Sequence, residues 1–154
     1  MLDGMLTALD KQFLINLVLS MAAGYLIGAE RESRGKDADI STHTFVITGS
    51  MLFTMLSIAV EPNSTARIAS QIVVGIGFLG AGLILKEHNK VKNLTTAASI
   101  WFGAGIGMAL GFGYTFIAVI ATLLSIIMPR IPHLSKQTIP SQRRVKRISR
   151  RSGR

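Results

Sequence analysis

The sequence has no cysteine, which excludes disulfides, zinc–thiolate sites and thiol nucleophiles together, and leaves redox usage silent about compartment. Acid is scarce as well: eight Asp and Glu stand against seventeen Lys and Arg, a formal net charge of +9 over 154 residues. Yet 49% of the residues are hydrophobic and the mean hydropathy is +0.44. Those facts conflict for one compact soluble domain. They fit a membrane protein whose charges are confined to loops and a tail. No Ser/His/Asp set, paired catalytic carboxylates or metalloprotease spacing is present, so no enzymatic chemistry is expected.

What the chain does have in quantity is glycine within apolar sequence. The stretch Arg67 to Trp101 carries Gly75, Gly77, Gly80 and Gly82, then a basic loop, then a threonine pair that re-enters apolar sequence. Gly75, Gly77 and Gly80 match the GxGxxG spacing of a dinucleotide-binding turn. That fingerprint needs a strand before it, an amphipathic helix after it and an acid about 20 positions on. None of the three is legible here, so the glycines read as membrane-helix residues.

Five apolar spans are expected, over residues 13–29, 44–60, 67–85, 95–110 and 114–128. Glu30-Arg31-Glu32 ends the first, and 30–43 reads as a charged loop turning at Gly35. Glu61-Pro62-Asn63 ends the second. Thr95 to Met128 is 34 residues without a charge, too long for one crossing, and Gly111-Phe112-Gly113 divides it. The expected fold is an all-α integral membrane protein, a compact bundle of about five transmembrane helices over 1–129, followed by a basic, disordered tail over 130–154. With five spans, fifteen of the Lys and Arg fall on one side and only Lys11 and Arg67 on the other. The positive-inside rule then places the N-terminus outside and the tail in the cytoplasm, in a cytoplasmic (inner) membrane. The tail, basic and free of acid, is better suited to the anionic lipid bilayer beside it than to nucleic acid.

Small residues recur every fourth position in two spans. Asn16, Ser20, Gly24 and Gly28 stripe the first, and Thr95, Ser99, Gly103, Gly107 and Gly111 stripe the fourth, a pattern that lets helices approach closely. The fourth-span stripe is expected to meet the glycine-rich third span, leaving Leu110 off the seam; a homo-oligomer contact or a pore lining are the alternatives. Gln71, Gly75 and Gly82 share a narrow arc of the third span. Glu30 and Glu32, with Asp37, Asp39 and Glu87 on the same side, are candidate ligands for a hard cation such as magnesium. The competing reading is charge balance with Arg31, Arg34 and Lys36, favoured because no acid lies inside any span. Arg31 is expected to be held by Glu30 or Glu32 or by a helix C-terminus. His43 and His88 read as lone loop histidines.

Three blocks, GYLIGAERE (24–32), RIASQIVVGIGFLGAGLI (67–84) and LTTAASIW (94–101), resemble the membrane domain of the MgtC/SapB family, in the right order and within a match of about residues 10–128. The resemblance implies a unit of about five spans and a role in growth at low magnesium and acid adaptation, with survival inside macrophages in pathogens. It also implies a regulator that binds the F-type ATP synthase, in a family first labelled as magnesium-transport related. The polar and aromatic residues carried by the blocks, Glu30, Arg31, Glu32, Arg67, Gln71, Thr95, Thr96, Ser99 and Trp101, are the candidate functional cluster. Two functions follow: a non-enzymatic, homo-oligomeric regulator of a membrane partner, or a direct cation conduit with Glu30 and Glu32 at its mouth and Gln71, Thr95, Thr96 and Ser99 along its path. No cofactor is expected beyond possible magnesium. The chain departs from the family pattern in two places. Asp39-Ile40-Ser41-Thr42-His43 stands where an Arg-Thr-His run is usual, and Asn93 stands where glycine is usual. Longer members carry a soluble C-terminal domain; the expectation here is the basic tail alone.

Overall fold

The computed structural model describes residues 7–60, 62–87 and 90–131, with the side chains of 87 and 90 left aside. The basic tail beyond Ile131, and His88, lie outside the described residues. Helix α1 is Ala8–Ser33, opened by a reciprocal cap in which Thr7 and Asp10 bond each other's backbone. Helix α2 is Ile40–Val60, α3 is Ala66–Leu83, α4 is Leu94–Gly111 and α5 is Thr115–Ile127, continued by a 3-10 turn over Met128–Arg130. The first four are long and apolar enough to cross a membrane, and Thr115–Arg130 is a shorter apolar helix.

Two glycines set the helix ends that the sequence marks. Gly35 adopts φ +63° and Gly113 φ +83°, the left-handed region where a Cβ is penalised. Around Gly35, the Lys36 amide donates to the Arg31 carbonyl at 3.1 Å and the Gly35 amide to the Glu32 carbonyl at 2.9 Å. Tyr114 to Ala109 and Gly113 to Leu110 repeat this pair of bonds at 2.8 and 3.0 Å. Both are Schellman closures, which satisfy the last carbonyls of α1 and α4.

Several boundaries differ from the sequence reading. The first helix does not stop at Ala29: Glu30, Arg31 and Glu32 form its last turns, because the interior at that end of the bundle supplies polar partners. The expected 30–43 loop therefore shrinks to the turn between Ser33 and Ile40. The loop expected over 86–94 contains an antiparallel hairpin, β1 (Leu85–Glu87) with β2 (Lys90–Lys92), in which Leu85 faces Lys92 and Lys86 faces Val91. Asn93, at φ +63°, turns the chain from the hairpin into α4.

Helix α2 sits between α1 and α4. Contacts of Gly24 with Thr44 and Gly28 with Ile40 run α1 antiparallel to α2, while Gly107 against Ile47 and Gly111 against Thr54 run α4 parallel to it. The stripe on α4 therefore meets α2 and not α3, as the spacing had suggested. A methyl group at Gly24, Gly28 or Gly107 would lie on the α2 backbone, so these contacts depend on bare Cα atoms. The core they enclose holds Ala23, Ile27, Ile47, Met51, Ile106, Leu110 and Ala118. Leu110, expected off the seam, is 2% exposed and belongs to this core. Helix α3 packs on the outer side of α4, placing Ala69 and Ile72 with Ala104, Ile76, Met108 and Phe112. Of its glycines only Gly80 has a neighbour, Ala97 at 3.6 Å; Gly75, Gly77 and Gly82 have no atom within 4 Å of where a side chain would start. Large apolar side chains such as Phe45, Phe78 and Phe116 point outward, as they do when the solvent is lipid hydrocarbon.

Candidate functional site

The last turn of α1 carries two charged residues into the interior. Arg31 is 2% exposed and Glu30 7%. An acid does lie within a spanning helix, contrary to the sequence reading. Charge at such a position is tolerated when it is paired and faces the bundle interior. Arg31 Nη2 donates to Thr96 Oγ1 at 3.0 Å, so the tie that holds Arg31 runs to α4, and no direct bond to Glu30 or Glu32 does this work. Thr96 is itself 1% exposed.

From Thr96 the network continues into α2. Ser99 Oγ reaches the Thr96 carbonyl at 2.8 Å and lies 3.3 Å from His43 Nε2. His43 Nδ1 lies 3.1 Å from the Asp39 carbonyl, which can only accept, so this contact supports the proton on Nδ1. Nε2 is then an acceptor that competes with the Thr96 carbonyl for the one Ser99 hydroxyl proton. His43 is not a loop residue: it is the fourth residue of α2 and fully buried. Asp39 caps α2 by accepting from the Thr42 amide and hydroxyl, both at 2.8 Å, and those bonds hold its carboxyl below the usual carboxylate range. Arg31, Thr96, Ser99, His43 and Asp39 thus tie α1, α4 and α2 together at one end of the bundle.

Glu30 serves a neighbouring tie. Its Oε1 lies 3.2 Å from Arg34 Nε and 3.9 Å from Arg130 Nε, while Arg34 also donates to the Pro129 carbonyl. Neither Glu30 oxygen nor Arg31 Nε has a hydrogen bond of good geometry, so Glu30 is held by charge attraction more than by directed bonds. Asn93 Nδ2 donates to Asp37 Oδ2 at 2.6 Å, joining the start of α4 to the α1–α2 turn. Toward the opposite end the buried ties are between neutral groups: Asn16 Nδ2 donates to the Leu110 carbonyl at 2.9 Å, and Ser20 and Thr48 hydroxyls meet at 3.2 Å.

Of the sequence-nominated cluster, the structure joins Glu30, Arg31, Thr96 and Ser99. Glu32 is exposed and Glu30 buried, two positions apart on α1 and so on different faces of the helix. Thr95 and Trp101 face outward, and Arg67 lies at the other end of the bundle, at the start of α3. Gln71 is exposed beside a groove between α2 and α3. Among the described residues no three His, Asp or Glu side chains come together as a metal set would. The sequence reads His43 as a lone loop histidine, Asp39 as a candidate cation ligand and Asn16 as part of a packing stripe, whereas all three join polar ties between helices. The available signal was Asp39-x-x-Thr42, a helix cap that places His43 on the first turn of α2 instead of in a loop.

This arrangement can be set against known proteins. A family model described as the MgtC family matches residues 17–135. The chain belongs to the MgtC family. Protein MgtC of Salmonella typhimurium is 46% identical over 112 residues, covering 73% of this chain and 48% of that protein. The putative magnesium transporter YhiD of Escherichia coli K12 is 36% identical over 134 residues, 79% of this chain and 61% of its own length. A Haemophilus influenzae protein is 38% identical over 141 residues, 83% of this chain and 59% of its own. The chain thus spans about half the length of the Salmonella MgtC it matches. No solved structure matches it. As an MgtC-family protein with several apolar helices, it is a multi-pass membrane protein. All the residues of the Arg31 network lie inside the matched region.

Proposed function

We propose that this chain is a non-enzymatic, homo-oligomeric regulator in the cytoplasmic membrane. It acts in magnesium and acid-stress adaptation by contacting a membrane partner such as the F-type ATP synthase. The 15-to-2 partition of Lys and Arg supports a cytoplasmic position for the Arg31 end of the bundle. The observation that carries the regulator reading over a conduit is the Arg31 guanidinium, fixed on Thr96 inside the bundle. A cation crossing beside Thr96 and Ser99 would have to pass a buried positive charge, an arrangement that channels use to exclude cations. Gln71 and Thr95, the other residues of the conceivable path, stand outside the interior.

The alternative, magnesium transport, draws on the printed name of YhiD. One pair of measurements separates the two. Protein reconstituted into liposomes with a magnesium-sensitive dye should give influx no greater than empty liposomes. The same protein added to membranes containing the F-type ATP synthase should capture the synthase and lower ATP-driven proton pumping. Magnesium influx above the empty-liposome rate, abolished by Glu30→Gln, would overturn the regulator reading.

A further inference from the structure

Helix α3 has two seams, and the subunit uses one. Its inner seam, Ala69, Ile72, Ile76 and Gly80, packs on α4. Its outer seam is Gln71, Gly75, Phe78 and Gly82, spaced four, three and four, the repeat by which one helix lies along another in a left-handed pair. Among the described residues nothing comes within 4 Å of a Cβ at Gly75 or Gly82, and Phe78 is 82% exposed. Gln71 stands roughly 8 Å along α3 from its first residue, within the span, and its amide has no bonding partner among the described residues. An unpaired amide facing hydrocarbon is unfavourable, so lipid tails are a poor cover for this seam.

Beside the seam runs an apolar groove of about 570 Å³ between α2 and α3. Gly49 of α2 and Gly75 of α3 both line it, both bare, with Phe45, Phe53 and Ile72 among its walls. We propose that a second copy of this chain covers this surface, its α3 lying parallel along the outer seam about a two-fold axis normal to the membrane. Such an axis brings residues of equal depth together, so Gln71 meets Gln71. A primary amide carries both donors and an acceptor and is therefore complementary to itself. The bare glycines let the two backbones approach, and Phe78 has the bulk to occupy the groove of the other copy. A polar residue at one position of an apolar seam also fixes register and partner number. This proposal rests on the homo-oligomer of the proposed function and gives it an interface, on α3 and not on α4, whose small stripe is already occupied by α2.

The full chain has no cysteine, so single cysteines report the contact directly. Under mild oxidation in native membranes, Gln71→Cys should form the covalent dimer several-fold more than Phe116→Cys on the outward side of α5. Gly75→Ile, which has open space within the subunit, should lower the dimer fraction in detergent roughly tenfold while leaving the unfolding temperature of the monomer unchanged. Equal crosslinking at 71 and 116, or a dimer fraction indifferent to Gly75→Ile, overturns the proposal. An oligomer that crosslinks through α5 alone keeps self-association and discards this interface, whereas a monomer in both assays, with lipid or another protein on α3, discards both. Capture of the ATP synthase is scored separately, so the partner reading stands or falls on its own.

Discussion

The glycines of α1 and α4 and those of α3 are the same residue in similarly apolar helices, but they do different things. Gly24, Gly28, Gly107 and Gly111 are pressed against α2, where any side chain would strike backbone or a β-carbon. Gly75, Gly77 and Gly82 have no described neighbour within reach of a side chain. The difference lies in the facing helix. Helix α2 presents Ile47, Met51 and Thr54 toward α4 and Thr44 toward α1, so close approach converts bare backbone into dispersion contact, which drives association where burial from water supplies little. Helix α3 meets α4 through alanine, isoleucine and Gly80 and leaves Gly75, Gly77 and Gly82 outside. A glycine ladder marks where a helix can be approached; the bulk of its neighbour decides whether the subunit does so.

Substitutions along α4 and α3 should separate the two classes, and the core is where the effect should be largest. Leu110→Ala should cost about 2–5 kcal/mol, because Leu110 is buried among Ile106, Met51 and Ala118 and the vacated space cannot fully close. Gly107→Leu should cost about 1–3 kcal/mol by forcing α2 away. Gly77→Leu, facing open space, should stay within about 0.5 kcal/mol for the monomer. Thermal unfolding in detergent ranks the three. Similar shifts at Gly107 and Gly77 would erase the distinction between packed and open glycines.

The polar ties give the next effect. Thr96→Val keeps the shape of the side chain but removes the acceptor of Arg31 Nη2, and an unsatisfied buried donor costs about 1–3 kcal/mol. Ser70→Ala on exposed α3, where the hydroxyl bonds only its own helix at the Arg67 carbonyl, should be near neutral. The same unfolding measurement decides. A Thr96→Val protein as stable as the parent would mean that Arg31 finds water or another acceptor, and that the network does not hold α1 to α4.

Much of this architecture was legible. Apolar run lengths gave five helices, and Gly35 and Gly113 stand at the turns the sequence marked, because a left-handed residue after a helix is a local requirement. What failed was tertiary. Nothing local to Glu30-Arg31-Glu32 says that α1 continues, since the partner of Arg31 is Thr96, 65 positions away. His43 looked like a loop residue because its helix opens Ile-Ser-Thr-His, without a run of aliphatic residues; Asp39 and Thr42 supply the cap. The partner of the α4 stripe was misassigned because spacing identifies a face and not what faces it.

Asn93 sharpens the comparison at the hairpin. Its φ of +63° disfavours any side chain, while its amide bonds Asp37 at 2.6 Å. Asn93→Gly exchanges the two effects and should change stability by less than about 0.5 kcal/mol, whereas Asn93→Ala loses the bond and keeps the strain, costing about 1–2 kcal/mol. A larger loss for Gly than for Ala would show that the Asp37 bond is not what this asparagine contributes.

The smallest effect belongs to Asp39, the cap that presents α2 to both glycine stripes. Bonds from the Thr42 amide and hydroxyl lower its carboxyl pKa in the folded protein relative to the unfolded chain. The unfolded state therefore binds the proton first as pH falls. This contribution is fully present above the ordinary carboxylate value of 3.8, and is lost as pH drops below it through the lowered native value. Asp39→Asn keeps an N-cap acceptor but removes the charge, so the variant should lose less stability than the parent between pH 5 and about pH 3. Asp39→Ala should be less stable at every pH, with the same flattened acid response as Asn. Unfolding temperatures of the three proteins across that range provide the measurement. Parallel curves for parent and Asp39→Asn would remove Asp39 from the acid response, leaving Asp39 as a cap whose charge is immaterial.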